Sequence, residues 1–75
     1  MPYIAIKTFP KDEELKRKAI EKLNEVFQEY WDCPPQAITI SCEEIAKEDY
    51  VEKIVKGEIE PNMENVYILN GEKKF

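Results

Sequence analysis

Apolar and polar residues alternate one by one through the opening segment, Pro-Tyr-Ile-Ala-Ile-Lys-Thr-Phe. Ile4, Ile6 and Thr8 fall on one side, and Tyr3, Ala5, Lys7 and Phe9 on the other. That period of two predicts a strand over residues 2–9. Pro10 ends it, because proline cannot donate to a ladder. The period then lengthens. Leu15, Ala19, Leu23, Val26, Phe27 and Tyr30 recur at steps of three and four, and Ile20 and Trp31 widen the stripe. This predicts an amphipathic helix of about five turns. Asp12 is its N-cap candidate, with Glu13 and Glu14 placed where the helix dipole favours acids. Glu13–Arg17 and Glu14–Lys18 are favourable i,i+4 pairs on the wet face. Pro34-Pro35 stops the helix. Residues 37–42 alternate again, with Ile38, Ile40 and Cys42 opposite Ala37, Thr39 and Ser41, and predict a second strand.

Strand, helix, strand is a βαβ unit, so the two strands should run parallel with a right-handed crossover. The pattern beyond is less regular. Lys47–Val55 reads as a short helix presenting Tyr50, Val51, Ile54 and Val55, with Gly57 ending it. Pro61–Glu64 reads as a turn and Val66–Leu69 as a third strand. Asn70-Gly71 is a strong hairpin signal. The predicted fold class is α/β (α+β), a single domain over residues 1–75. A two-stranded sheet is not stable by itself. The helix is expected to cover one face through Ile4, Ile6, Ile38 and Ile40. The opposite face, with Tyr3, Ala5 and Phe9, stays uncovered, which predicts a homodimer with one four-stranded sheet.

Composition narrows the functional classes. Seventy-five residues with two cysteines and no histidine fall short of a four-ligand zinc site. A Ser-His or Cys-His nucleophile pair is impossible within one chain. Eleven basic residues stand against 16 acidic ones, net −5, and Arg17 is the single arginine. That balance argues against nucleic-acid binding. The excess is local: residues 43–64 hold eight acids and three lysines. No segment approaches the ~20 apolar residues of a membrane span. With no signal-peptide pattern and no paired cysteines, the expected compartment is the cytoplasm.

One residue carries candidate chemistry by position. Methionine before proline is a good substrate for amino-terminal trimming, which would leave Pro2 as a free secondary amine. Free α-amino groups titrate near 7.7–8.0, and burial lowers an amine further. Such an amine is a credible general base, and without histidine it is nearly the only one near neutral pH.

Met-Pro-x-Ile-x-Ile-Lys-x-Phe-Pro, a long helix and an Ile-Thr-Ile strand follow one another in this short chain. In that order they resemble the 4-oxalocrotonate tautomerase family. Residues 6–11, Ile-Lys-Thr-Phe-Pro-Lys, and residues 58–64, Glu-Ile-Glu-Pro-Asn-Met-Glu, are most similar to its bacterial phenylpyruvate-tautomerase-like branch. The resemblance implies a tautomerase-type βαβ unit, no cofactor, no metal, and a homo-oligomer that is a dimer or a hexamer of three dimers. It implies a catalytic Pro2 acting on a small carboxylic acid, a 2-keto acid or its enol. Lys11 takes the place of a family arginine that holds the substrate carboxylate. It keeps the charge but loses the two-pronged geometry. Thr39 stands at the second family arginine and brings a hydroxyl without charge. Tyr50 aligns with an aromatic wall of the pocket, although its spacing also suits an ordinary core tyrosine. Two other outcomes stay open. One is a 2-hydroxymuconate tautomerase; the other is a non-enzymatic oligomeric binding protein with this fold.

Overall fold

The computed structural model describes all residues, 1–75. The chain divides into two compact units, Met1–Ile45 and Ala46–Phe75.

The first unit is the predicted βαβ arrangement. Strand β1 (Tyr3–Thr8) and strand β2 (Thr39–Glu44) pair in parallel, with Tyr3 opposite Thr39 and Thr8 opposite Glu44. Helix α1 (Glu13–Tyr30) connects them. The Asp12 carboxylate accepts the Leu15 N–H at 3.2 Å, as an N-cap should, and satisfies one of the donors a helix start leaves open. The helix ends at Tyr30, before the two prolines. The Trp31 N–H closes the last turn on the Phe27 carbonyl, and Asp32 then takes a left-handed φ of 53°. Aspartate tolerates that conformation better than most residues.

Two details differ from the alternation pattern. Residues Pro35–Ala37 form a short 3-10 turn, so β2 starts at Thr39 and runs on to Glu44. Ile38 therefore lies outside the sheet, and the helix-facing residues of β2 are Ile40, Cys42 and Glu44. The second difference is burial. No residue of α1 is buried. Ile20, Leu23 and Phe27 are half-buried. Leu15, Val26 and Tyr30 from the same stripe remain exposed, Leu15 at 61% and Tyr30 at 76%. Trp31 stays exposed with its ring edge-on to Phe27, centroids 4.7 Å apart. The buried side chains of the whole chain are Ile45 and Ile54.

In the second unit the helical backbone runs further than the glycine signal predicts. Helix α2 (Lys47–Tyr50) passes without a break into a π-type segment, Val51–Ile59, and then into a 3-10 stretch, Glu60–Asn65, that is kinked at Asn62, where φ is −111° and ψ is 21°. Gly57 does not terminate it. A glycine stop needs a left-handed φ, and Gly71 is the glycine that adopts one. The widened turn is visible where the Glu60 N–H reaches back five residues to the Val55 carbonyl. Strands β3 (Ile68–Leu69) and β4 (Glu72–Lys73) then form the expected hairpin. Asn70 (φ 51°) and Gly71 (φ 82°) give positive φ at both central positions, as a tight two-residue turn requires. No helix is long and apolar enough to cross a membrane.

Candidate functional site

The alternation that builds the sheet also sorts its side chains. Tyr3, Lys7, Thr39, Ser41 and Glu43 share the face away from α1. The Tyr3 hydroxyl lies 3.2 Å from Ser41 Oγ, and Lys7 pairs with Glu43 at 3.0 Å. Ile4, Ile6, Thr8, Ile40, Cys42 and Glu44 share the face toward α1.

At the amino end of β1 the contact to β2 is made by backbone. The Thr39 N–H donates to the Pro2 carbonyl at 3.2 Å, which extends the ladder by one bond. Pro2 is half-buried and Thr39 is exposed. The structure thus brings Pro2 and Thr39 together. With Met1 attached, the Pro2 nitrogen is an amide and has no basicity. Met1 itself is fully exposed.

At the carboxyl end the tie is ionic. Glu44 Oε2 accepts the Lys11 N–H at 3.0 Å and lies 3.2 Å from Lys16 Nζ. Lys16 also reaches Glu13 Oε1 at 3.2 Å. These contacts shift the groups in the expected directions. The Lys11 N–H, followed by Lys16, holds the Glu44 carboxyl below its usual range. Lys16, with Arg17, lowers Glu13 likewise. Hydrogen bonds to Glu44 and Glu13 raise Lys16. The Lys11 ammonium enters no ion pair. Arg17 is spent on Glu13 at 3.0 Å, the predicted i,i+4 pair.

Beside this tie lies an open cleft of about 220 Å³ between α1 and the sheet. Its walls are Ile6, Leu15, Ala19, Ile20 and Cys42. Thr8, Lys11 and Lys16 line it as well, almost wholly through the apolar parts of their side chains.

The two ends are far apart. The six residues of β1 span about 20 Å at ~3.3 Å per residue. One chain therefore does not bring Lys11 to Pro2. Tyr50 belongs to the second unit, where it is half-buried at the end of α2. Glu44 and Lys16 were not among the site residues read from the sequence. The available signal was an acid at the next inward position after Ile40 and Cys42, where an apolar residue would continue the pattern. No group of three or more His, Cys, Asp or Glu side chains comes together to hold a metal ion.

A scan against protein-family models finds none that matches the chain. A search of curated proteins likewise returns no match.

Proposed function

We propose that the protein is a cofactor-independent keto–enol tautomerase of the 4-oxalocrotonate tautomerase type, acting on a 2-keto monocarboxylic acid or its enol. Trimmed Pro2 is the base in this reading. Its free amine takes the proton from the carbon next to the keto group, and the keto oxygen gains a proton as the enol forms. The reverse sequence ketonises an enol. The two forms are isomers, so no electrons are exchanged and no cofactor is needed.

The observation that carries the reading is the course of β1. It starts at a residue that trimming would make a base and ends beside a lysine with no ionic partner. The edge of β1 away from β2 is unpaired within the chain. A two-fold axis through that edge would set β1 antiparallel to a second β1. Directly opposed residues then share a face, because side chains alternate with a period of two. Pairing centred on Ala5 or on Ile6 would put Pro2 of one copy opposite Thr8 or Pro10 of the other. Pro2 would then meet the Lys11 end of the second chain, which one chain alone keeps about 20 Å away. The homodimer is thus part of the proposed site. Lys11 would hold the carboxylate, and Thr39 would stand beside Pro2 as an uncharged donor. One uncommitted cation suits one carboxylate, which favours phenylenolpyruvate over a dicarboxylate such as 2-hydroxymuconate.

The residue pattern and this strand geometry support the reading. Protein shown by intact mass to lack Met1 should ketonise phenylenolpyruvate at neutral pH, and protein that keeps Met1 should not. Equal turnover by the two would overturn the proposal and leave a non-enzymatic binding protein in its place.

A further inference from the structure

A gap in the packing of the first unit follows from the residues that surround it. Ile6 and Cys42 stand on the sheet side, and Leu15, Ala19 and Ile20 on α1. Ala19 and Cys42 are small where a bulkier pair would close the space. Leu15 stays 61% exposed although it borders the gap. The next inward position of β2 is Glu44, which brings a carboxylate in place of an apolar side chain. Lys16 lends the stem of its side chain to the wall, while its ammonium is held 3.2 Å from both Glu13 and Glu44. About 220 Å³ stays unfilled, whereas well-packed interiors keep few voids larger than a water molecule. The lining is almost wholly apolar, and an ordered water needs roughly two to four polar partners. Water is therefore poorly held there.

We propose that this cleft is a binding site for a small, uncharged apolar molecule of about one aromatic ring. Size selects that class first: apolar cavities of about 150 Å³ take up benzene. A protein partner would need a contact of roughly 800 Å² on each side, a surface much wider than this slot. Charge selects it next, because a carboxylate or ammonium placed there would lose its hydration without gaining a partner. Occupancy favours the folded chain by mass action, which matters where only Ile45 and Ile54 are buried. The site does not include Pro2, and the inference needs no part of the tautomerase reading.

Benzene titrated into the full chain should produce saturable amide NMR shifts at Ile6, Ala19, Ile20 and Cys42 and raise the melting temperature. Benzoate has the same ring with a charge added, and should bind at least tenfold more weakly. Ala19→Leu fills the cleft from an exposed helix position and should abolish the benzene shifts, with the rest of the amide spectrum reporting that the fold is intact. The absence of saturation at millimolar benzene would overturn the inference. So would benzoate binding as tightly as benzene, or unchanged benzene shifts in Ala19→Leu. If the same amides shift with protein concentration alone and benzene does not bind, a second copy fills the cleft and the inference fails. The comparison of benzene with benzoate uses the unaltered chain, so it decides the matter even where the variant does not fold.

Discussion

At its amino end β1 is joined to β2 by backbone, through the Thr39 N–H on the Pro2 carbonyl. At its carboxyl end a carboxylate, Glu44, gathers a backbone N–H and an ammonium, and Glu13 adds a second acid. Nothing at the first end depends on ionisation of a side chain. In the proposed mechanism its chemistry depends on one atom, the Pro2 nitrogen, and on whether it is an amine or an amide. The second end contains no candidate base. It offers a charge held in place by other charges. The comparison teaches that the base and the anchor of the proposed site are built by different physics, so separate perturbations can reach them.

The largest effect should come from the amino end. Acylating Pro2, or keeping Met1, removes the base outright. Turnover of phenylenolpyruvate should then fall by the ~10²–10⁴-fold that general-base catalysis supplies. Steady-state kinetics on mass-verified samples checks this, and an unchanged rate would sink the division of labour. Lys11→Ala comes next. It removes a charge that holds ground state and transition state alike, so KM should rise and kcat should hold. One charged contact is worth about 1.5–3 kcal/mol, roughly ten- to a hundredfold. A fall in kcat at constant KM would show that the lysine works on the reacting atoms instead.

Thr39→Arg should blur the contrast by adding a cation to the amino end. Selectivity between 2-hydroxymuconate and phenylenolpyruvate should move toward the dicarboxylate by about tenfold, the low end of a charged contact's ~1.5–3 kcal/mol. Competition assays with both substrates read this ratio, and no change would place residue 39 outside the pocket.

The smallest effect concerns acid and base limits. Glu44 and Glu13 titrate below their ordinary 4.5 in the folded chain. Their contribution is present above that value and is lost as pH falls through the lowered folded values. Lys16 titrates above its ordinary 10.5, so its contribution holds below that pH and disappears as pH rises past the raised value. Thermal melts should be flat across neutral pH and decline on the acid side. Glu44→Gln should reduce the acid-side slope. All three groups are exposed, so the change should be small, and an unaltered slope would show that the tie contributes nothing measurable.

Much of the first unit was legible in the residue pattern. β1, α1, the Asp12 cap, the parallel pairing and the Asn70-Gly71 hairpin all follow from periodicity and local backbone chemistry. Gly57 misled because glycine permits a left-handed stop without requiring one. The start of β2 was blurred because Ile38 continues an alternation that Pro35–Ala37 interrupts in three dimensions. The stripe on α1 was recognised, but an amphipathic pattern records every surface a helix covers, including any on another molecule. Leu15 and Tyr30 fit the stripe and yet stand exposed in the single chain. For the proposed site, Pro2 and Lys11 stand out in the sequence by position and residue type. Their separation by a whole strand is a property of extended backbone that composition does not express.

The enclosure of Ile45 and Ile54 alone among the side chains has a further consequence. A chain that hides so little apolar surface has little to hold it folded when solitary. Mass action then enters: the folded form is favoured by whatever it binds, including another copy of itself. If β1 supplies the base to a neighbour's anchor, each chain is half of two sites, and dilution dismantles stability and catalysis together. Turnover per chain should drop as enzyme is diluted through the dissociation range, and the melting temperature should slide with it.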